Sequence, residues 1–65
     1  GEVSIAVQIN GKVRGVLSCP QGTPEATVLA LARGDQKIAP WVEKGSILRV
    51  IYVPDKLINI VLGGD

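Results

Sequence analysis

Val3, Ile5 and Val7 alternate with Ser4, Ala6 and Gln8, the period of a strand with one buried face. Asn10-Gly11 follows at once, and that dipeptide beside an alternating run is a strong hairpin signal. Two registers are open on paper. A two-residue loop, Asn10-Gly11, pairs Ile9 with Lys12 and sets Val7 opposite Arg14. A three-residue loop, Ile9-Asn10-Gly11 with Gly11 in the left-handed bulge position, pairs Gln8 with Lys12, Val7 with Val13, Ile5 with Gly15 and Val3 with Leu17. The second keeps one face apolar and gathers Gln8, Lys12, Ala6 and Arg14 on the other, so it is the register expected.

Thr23-Pro24-Glu25 has the form of a helix start, with an N-cap hydroxyl, a proline at the first helical position and an acid in the first turn. Val28, Leu31 and Ala32 share a face, and Gly34 stops the helix. Asp35 stands as a second N-cap, with Ile38, Trp41 and Val42 along one side of a short helix. Pro40 removes a donor and crowds the carbonyl four residues back, so this second helix is expected to be kinked or broken, ending at Gly45. Ser46 to Val53 is rich in β-branched residues and reads as a strand. Pro54-Asp55-Lys56 makes a tight turn, and Leu57 to Leu62 is the last strand. Apart from Asn59 that strand is continuously apolar, as expected of a strand covered on both faces. Placing it centrally gives a mixed four-stranded sheet of order 2-1-4-3. The expected fold is therefore α+β, a compact, β-grasp-like β-β-α(α)-β-β domain with the helical segment on one face. Residues 1–62 form this single domain and 63–65 a short C-terminal tail.

Composition narrows the function classes. The 65 residues suffice for one domain, and the 46% apolar content is nearly all aliphatic, which excludes disorder. A net charge of +1 gives no global positive field. There is no His, so no Ser–His–Asp or Cys–His arrangement and no zinc cluster is expected. Cys19 is alone, which rules out an internal disulfide and points to a reducing compartment. Glu25 and Asp35 are explained by helix starts, Asp55 by a turn and Glu43 by a solvated helix end, leaving no acid–base pair. The glycines fit neither a Walker loop nor a dinucleotide fingerprint. No stretch has membrane-spanning length or signal-peptide form. The expectation is a cytoplasmic monomer without catalytic residues, cofactor, metal or membrane partner.

The hairpin tip is the candidate site. Lys12 and Arg14 lie two apart on one strand and leave the same face of it. Gln8 and Asn10 add amides beside them, Gly15 would let a partner backbone approach, and Asn59 on the last strand would present a further amide to that face. Lys56 lies at the opposing turn. Such a group can hydrogen-bond phosphate oxygens, Arg14 bidentately. The alternative is that Lys12 and Arg14 only solubilise an exposed strand and guard its edge. Trp41 could stack on a base, but its spacing with Ile38 favours a place in or beside the core.

Two stretches add to this picture. Val7-Gln8-Ile9-Asn10-Gly11-Lys12-Val13-Arg14-Gly15 is followed, after the helical segment, by Val50-Ile51-Tyr52-Val53-Pro54-Asp55-Lys56-Leu57-Ile58-Asn59-Ile60-Val61. Together they resemble the extreme C-terminal domain of bacterial-type leucyl-tRNA synthetase. Val28 to Ala32, Asp35, Lys37, Glu43 and Ile47 fall in matching places between them without gaps. The resemblance implies a non-catalytic module, tethered to its parent synthetase, that contacts the outer corner of leucine tRNA and assists aminoacylation and editing by other domains. Carried over on matching positions, it implies tRNA contact by Asn10, Lys12, Arg14, Lys56 and Asn59, with Gln8 beside them. Val16 and Leu48 stand where the family often has a basic residue, Pro40 where many members have Lys, and Asp55 where a Pro-Gly turn is usual. These departures imply weak binding by the chain alone. The competing reading is a protein-interaction or structural module using an exposed sheet face, with Val16, Leu57 and Val61 as its apolar surface.

Overall fold

The computed structural model describes residues 1–64, and Asp65, the end of the expected tail, lies outside the described residues. The elements are β1 (Glu2–Ile9), β2 (Lys12–Pro20), α1 (Glu25–Gly34), α2 (Ala39–Val42), β3 (Ser46–Val53) and β4 (Leu57–Gly63). They form one sheet of order β2-β1-β4-β3, the order expected from placing the most apolar strand inside. Both outer pairs are antiparallel, while β1 and β4 run parallel and are joined through the helical crossover. Ile5 and Val7 of β1 and Ile58 and Ile60 of β4 are fully buried beneath Val28 and Ala32 of α1, Ile38, and Val42 of α2. Cys19 is a free thiol in the same core. The helices cover one face only. The other face of β4, with Leu57, Asn59 and Val61, is half-buried by its sheet neighbours alone, so its apolar run does not reflect a second covering layer.

The hairpin corrects the expected register. Asn10 (φ 51°) and Gly11 (φ 83°) form a two-residue turn with both residues left-handed, the turn whose twist matches that of the strands. Ile9 pairs with Lys12 and Gln8 with Val13, after which the register shifts and Val7 faces Gly15. Arg14 is the extra residue of this β-bulge. Beyond it Ile5 faces Leu17 and Val3 faces Cys19, so one inserted residue returns the apolar positions of β2 to the core face. Residues directly opposite one another share a face. Lys12 therefore lies on the helix-covered side, and Gln8 on the bare one. The three-residue loop, which joined Gln8, Lys12 and Arg14 on one face, is replaced by this turn-plus-bulge. Gly15 is likewise explained from within: a Cβ there would lie 2.8 Å from Cγ1 and 3.0 Å from Cδ1 of the buried Ile38, so its missing side chain serves packing.

The helical segment departs from expectation at its start. Pro24 is the N-cap of α1 and its carbonyl accepts from the Val28 N–H at 3.0 Å, while the Thr23 hydroxyl donates instead to the Pro20 carbonyl. Asp35, expected as the N-cap of the second helix, instead ends α1, its Oδ1 accepting from the N–H groups of Lys37 at 2.8 Å and Ile38 at 3.3 Å in the turn before α2, whose N-cap is Ile38. Pro40 falls in the first turn of α2, where its missing N–H leaves no bond unmade. The second helix is accordingly short, residues 39–42, and is not a longer helix kinked in its middle. At the far end of the sheet, Tyr52 Oη donates to the Thr23 carbonyl at 2.6 Å and Asp55 Oδ1 accepts from the Gly22 N–H at 2.9 Å. These two bonds fasten the β2–α1 loop to the β3–β4 turn.

Candidate nucleic-acid interface

The Asn-Gly tip is held against β4 by side-chain amides. The Asn10 N–H donates to the Ile60 carbonyl at 3.0 Å, and the Asn10 Oδ1 accepts from the Leu62 N–H at 2.7 Å. Asn59 Oδ1 accepts from the Gly11 N–H at 3.0 Å. The oxygens of both asparagines are thus engaged within the fold, and their architectural role is to lock the tip where the strand ends. Asn10→Ala removes one of these acceptors and places a Cβ-bearing residue without the Asn preference in a left-handed conformation. It is expected to cost about 1–3 kcal/mol, with Asn10→Gly costing less because only the bond is lost. Urea midpoints at an unchanged m-value measure this.

Locking the tip shapes an open cleft of about 470 Å³ on the helix-covered side, lined by Lys12, Arg14, Trp41 and Lys44 together with residues beside the tip and the chain from the end of β4 to Gly64. The bulge aims Arg14 across the sheet end, so that its guanidinium carbon lies 3.8 Å from the Trp41 ring centroid. Lys44, in the turn that follows α2, brings its Nζ to 4.2 Å from the same centroid. Trp41 itself is half-buried and packs against the core. Among the described residues no carboxylate lines this cleft. Three cations and one aromatic ring therefore share a concave surface, a composition suited to an anion.

The candidate residues from the sequence separate into three places. Lys12, Arg14 and Asn10 line the cleft. Gln8 and Asn59 pair with one another across β1 and β4, on the bare face. Lys56 is at the opposite end of the sheet, where its carbonyl accepts from the Ala6 N–H at 3.0 Å. At ~3.3 Å per residue it stands about 13 Å down β4 from Ile60. Lys44 is not among the candidates, and Trp41 is weighed there only as a base-stacking residue and assigned to the core. Their spacing of three along a helical turn is the one local signal that could have joined them. The approach of Arg14 has no such signal, because it depends on the bulge. Among the described residues no group of three or more His, Cys, Asp or Glu side chains could hold a metal ion, and no helix is long and apolar enough to cross a membrane.

Fold and cleft together define a small α+β module with a cationic, aromatic-centred concave surface at one end of its sheet. No protein-family model matches the chain. Individual proteins do. It is 45% identical over 60 residues to the leucine–tRNA ligase of Chlorobium limicola, covering 92% of this chain and 8% of that protein. It is 40% identical over 62 residues to the leucine–tRNA ligase of Geotalea uraniireducens, covering 95% of this chain and 8% of that one. Among solved structures, the Agrobacterium radiobacter LeuRS–tRNA–LeuAMS ternary complex contains a matching segment, with a TM-score of 0.87 and 26% identity over 95% of this chain and 8% of the LeuRS chain. The chain is homologous to a segment of leucine–tRNA ligases and spans about 8% of their length.

Proposed function

We propose that the chain is the C-terminal tRNA-binding module of a bacterial-type leucine–tRNA ligase. In this reading it works in the cytoplasm, where it contacts the outer corner of leucine tRNA from the end of its parent enzyme. Aminoacylation and editing take place in other domains, and the module contributes binding. The observation that carries the reading is the convergence of Lys12, Arg14 and Lys44 on one cleft without a lining carboxylate among the described residues, in a chain homologous to these ligases. Phosphate and ribose contacts of this kind fix position and read the shape of the RNA, not its sequence.

The test is a titration of the chain with leucine tRNA across a salt series, following backbone amide shifts. Three phosphate contacts give a slope of log K against log salt of about −2 to −3. Shifts are expected at residues 10–14 and 41–45. No binding at low salt overturns the reading, and shifts confined to the 54–56 turn overturn the site.

One observation favours a second reading, that of a protein-docking module. The bare sheet face carries exposed Val13, Val16, Ile51 and Val53. A partner there would bind at high salt and be indifferent to Lys12→Ala and Arg14→Ala.

A further inference from the structure

Trp41 is the one tryptophan of the chain, and its ring already holds two cations of the protein itself. Both lie within the ~6 Å reach of a cation–π contact. A base stacking on a ring face that carries Arg14 or Lys44 would displace that cation, an exchange that gives up one favourable contact to make another. Arg14 Nε is buried without a hydrogen-bond partner, so the inner edge of the guanidinium faces protein. Its remaining donors are on the two terminal nitrogens, the fork that matches a phosphate. The stack thus restrains two long side chains that would otherwise lose rotamer freedom on binding.

We propose that this cleft binds the phosphodiester backbone of RNA and not its bases: Arg14, Lys44 and Lys12 hold the phosphates, and Trp41 positions the first two without touching a nucleotide. The proposal rests on the tRNA reading for its macromolecule and adds the part of it that is recognised, the cation that completes the site and the residue that orders it.

The experiment compares two labelled probes by anisotropy, a short single-stranded oligoribonucleotide and an abasic ribose-phosphate oligomer of the same length. Both are expected to bind the chain with affinities within about twofold and with the same salt slope, since the phosphates are the same. Trp41 emission should shift modestly and equally with each, without the strong quenching a stacked base produces. Trp41→Leu keeps every charge, so the salt slope should stand. Affinity for both probes should fall by about three- to tenfold, and Trp41→Phe by less, because a ring is retained. Circular dichroism confirms that the variants are folded. Oligoribonucleotide binding more than tenfold tighter than abasic binding, with Trp41 quenched, overturns the proposal. So does a folded Trp41→Leu variant with unchanged affinity. Equal binding of both probes with no binding of tRNA overturns the tRNA reading and leaves this inference standing; base-dependent binding of tRNA does the reverse. Binding of neither probe at low salt overturns both.

Discussion

Ile38→Ala is expected to destabilise the chain by about 2–5 kcal/mol, the range for emptying a fully buried aliphatic site. For 65 residues a total stability of about 3–10 kcal/mol is typical, so this one change removes at least about a fifth of it and, toward the low end of that range, nearly all of it. Ile38 has no exposed surface and fills the space left by Gly15 on β2, which is how the segment carrying Trp41 is seated on the hairpin. Gly15→Ala in the wild-type background forces a methyl group against a side chain that has nowhere to go, at about 1–3 kcal/mol. Combined with Ile38→Ala, the same methyl enters vacated space, and its cost should fall close to zero. The expected coupling is about 1–3 kcal/mol in the compensating sense. Urea unfolding followed by Trp41 fluorescence and by circular dichroism measures all four corners of the cycle. Additive costs would mean that Gly15 and Ile38 do not share a packing site.

That pair also marks the limit of what could be read from the chain. Alternation at Val3, Ile5 and Val7, the Asn10-Gly11 tip and the β-branched run at 46–53 are local patterns, and each produced the element it indicated. Strand order followed from one physical rule, that the most apolar strand lies inside. Register did not follow, because the two-residue turn keeps one face apolar only when β2 carries an extra residue, and that residue is not announced by the alternation. A bulge at Arg14 satisfied the turn and the core at once, and the residue after it, Gly15, packs on Ile38, 23 residues later in sequence. Such a contact has no signature in either segment. The site inherited the same ambiguity. Lys12 and Arg14 were identified from their charges, yet their face depended on the register, and with the face went the neighbours. Gln8 and Asn59 ended on the far side, and Trp41 and Lys44 took their place beside the cations. Trp41 was read as a core residue from its spacing with Ile38, and its ring does pack on the core. What periodicity could not express is that the same ring also meets Arg14 from another strand.

Arg14→Ala is expected to weaken tRNA binding by about 10- to 100-fold, the worth of one charge-assisted, bidentate contact of roughly 1.5–3 kcal/mol. The salt slope should become shallower by about one unit, since one fewer counterion is released. Arg14→Lys separates charge from shape. It should leave the slope in place and recover only part of the affinity, because an ammonium neither forks onto a phosphate nor stacks in the plane of Trp41. Lys56→Ala and Gln8→Ala, at the far end of the sheet and on its bare face, should change affinity by less than about twofold at physiological salt. Filter-binding or anisotropy titrations at several salt concentrations measure each term. The small net charge of +1 is no obstacle to this outcome. At physiological ionic strength a charge is felt over about 8 Å, so a phosphate in the cleft responds first to the lining Lys12, Arg14 and Lys44. Three contacts make a weak site in isolation. In the proposed function, a tether at the end of an enzyme that already holds the same tRNA would raise their effective concentration, so that a modest intrinsic affinity becomes sufficient.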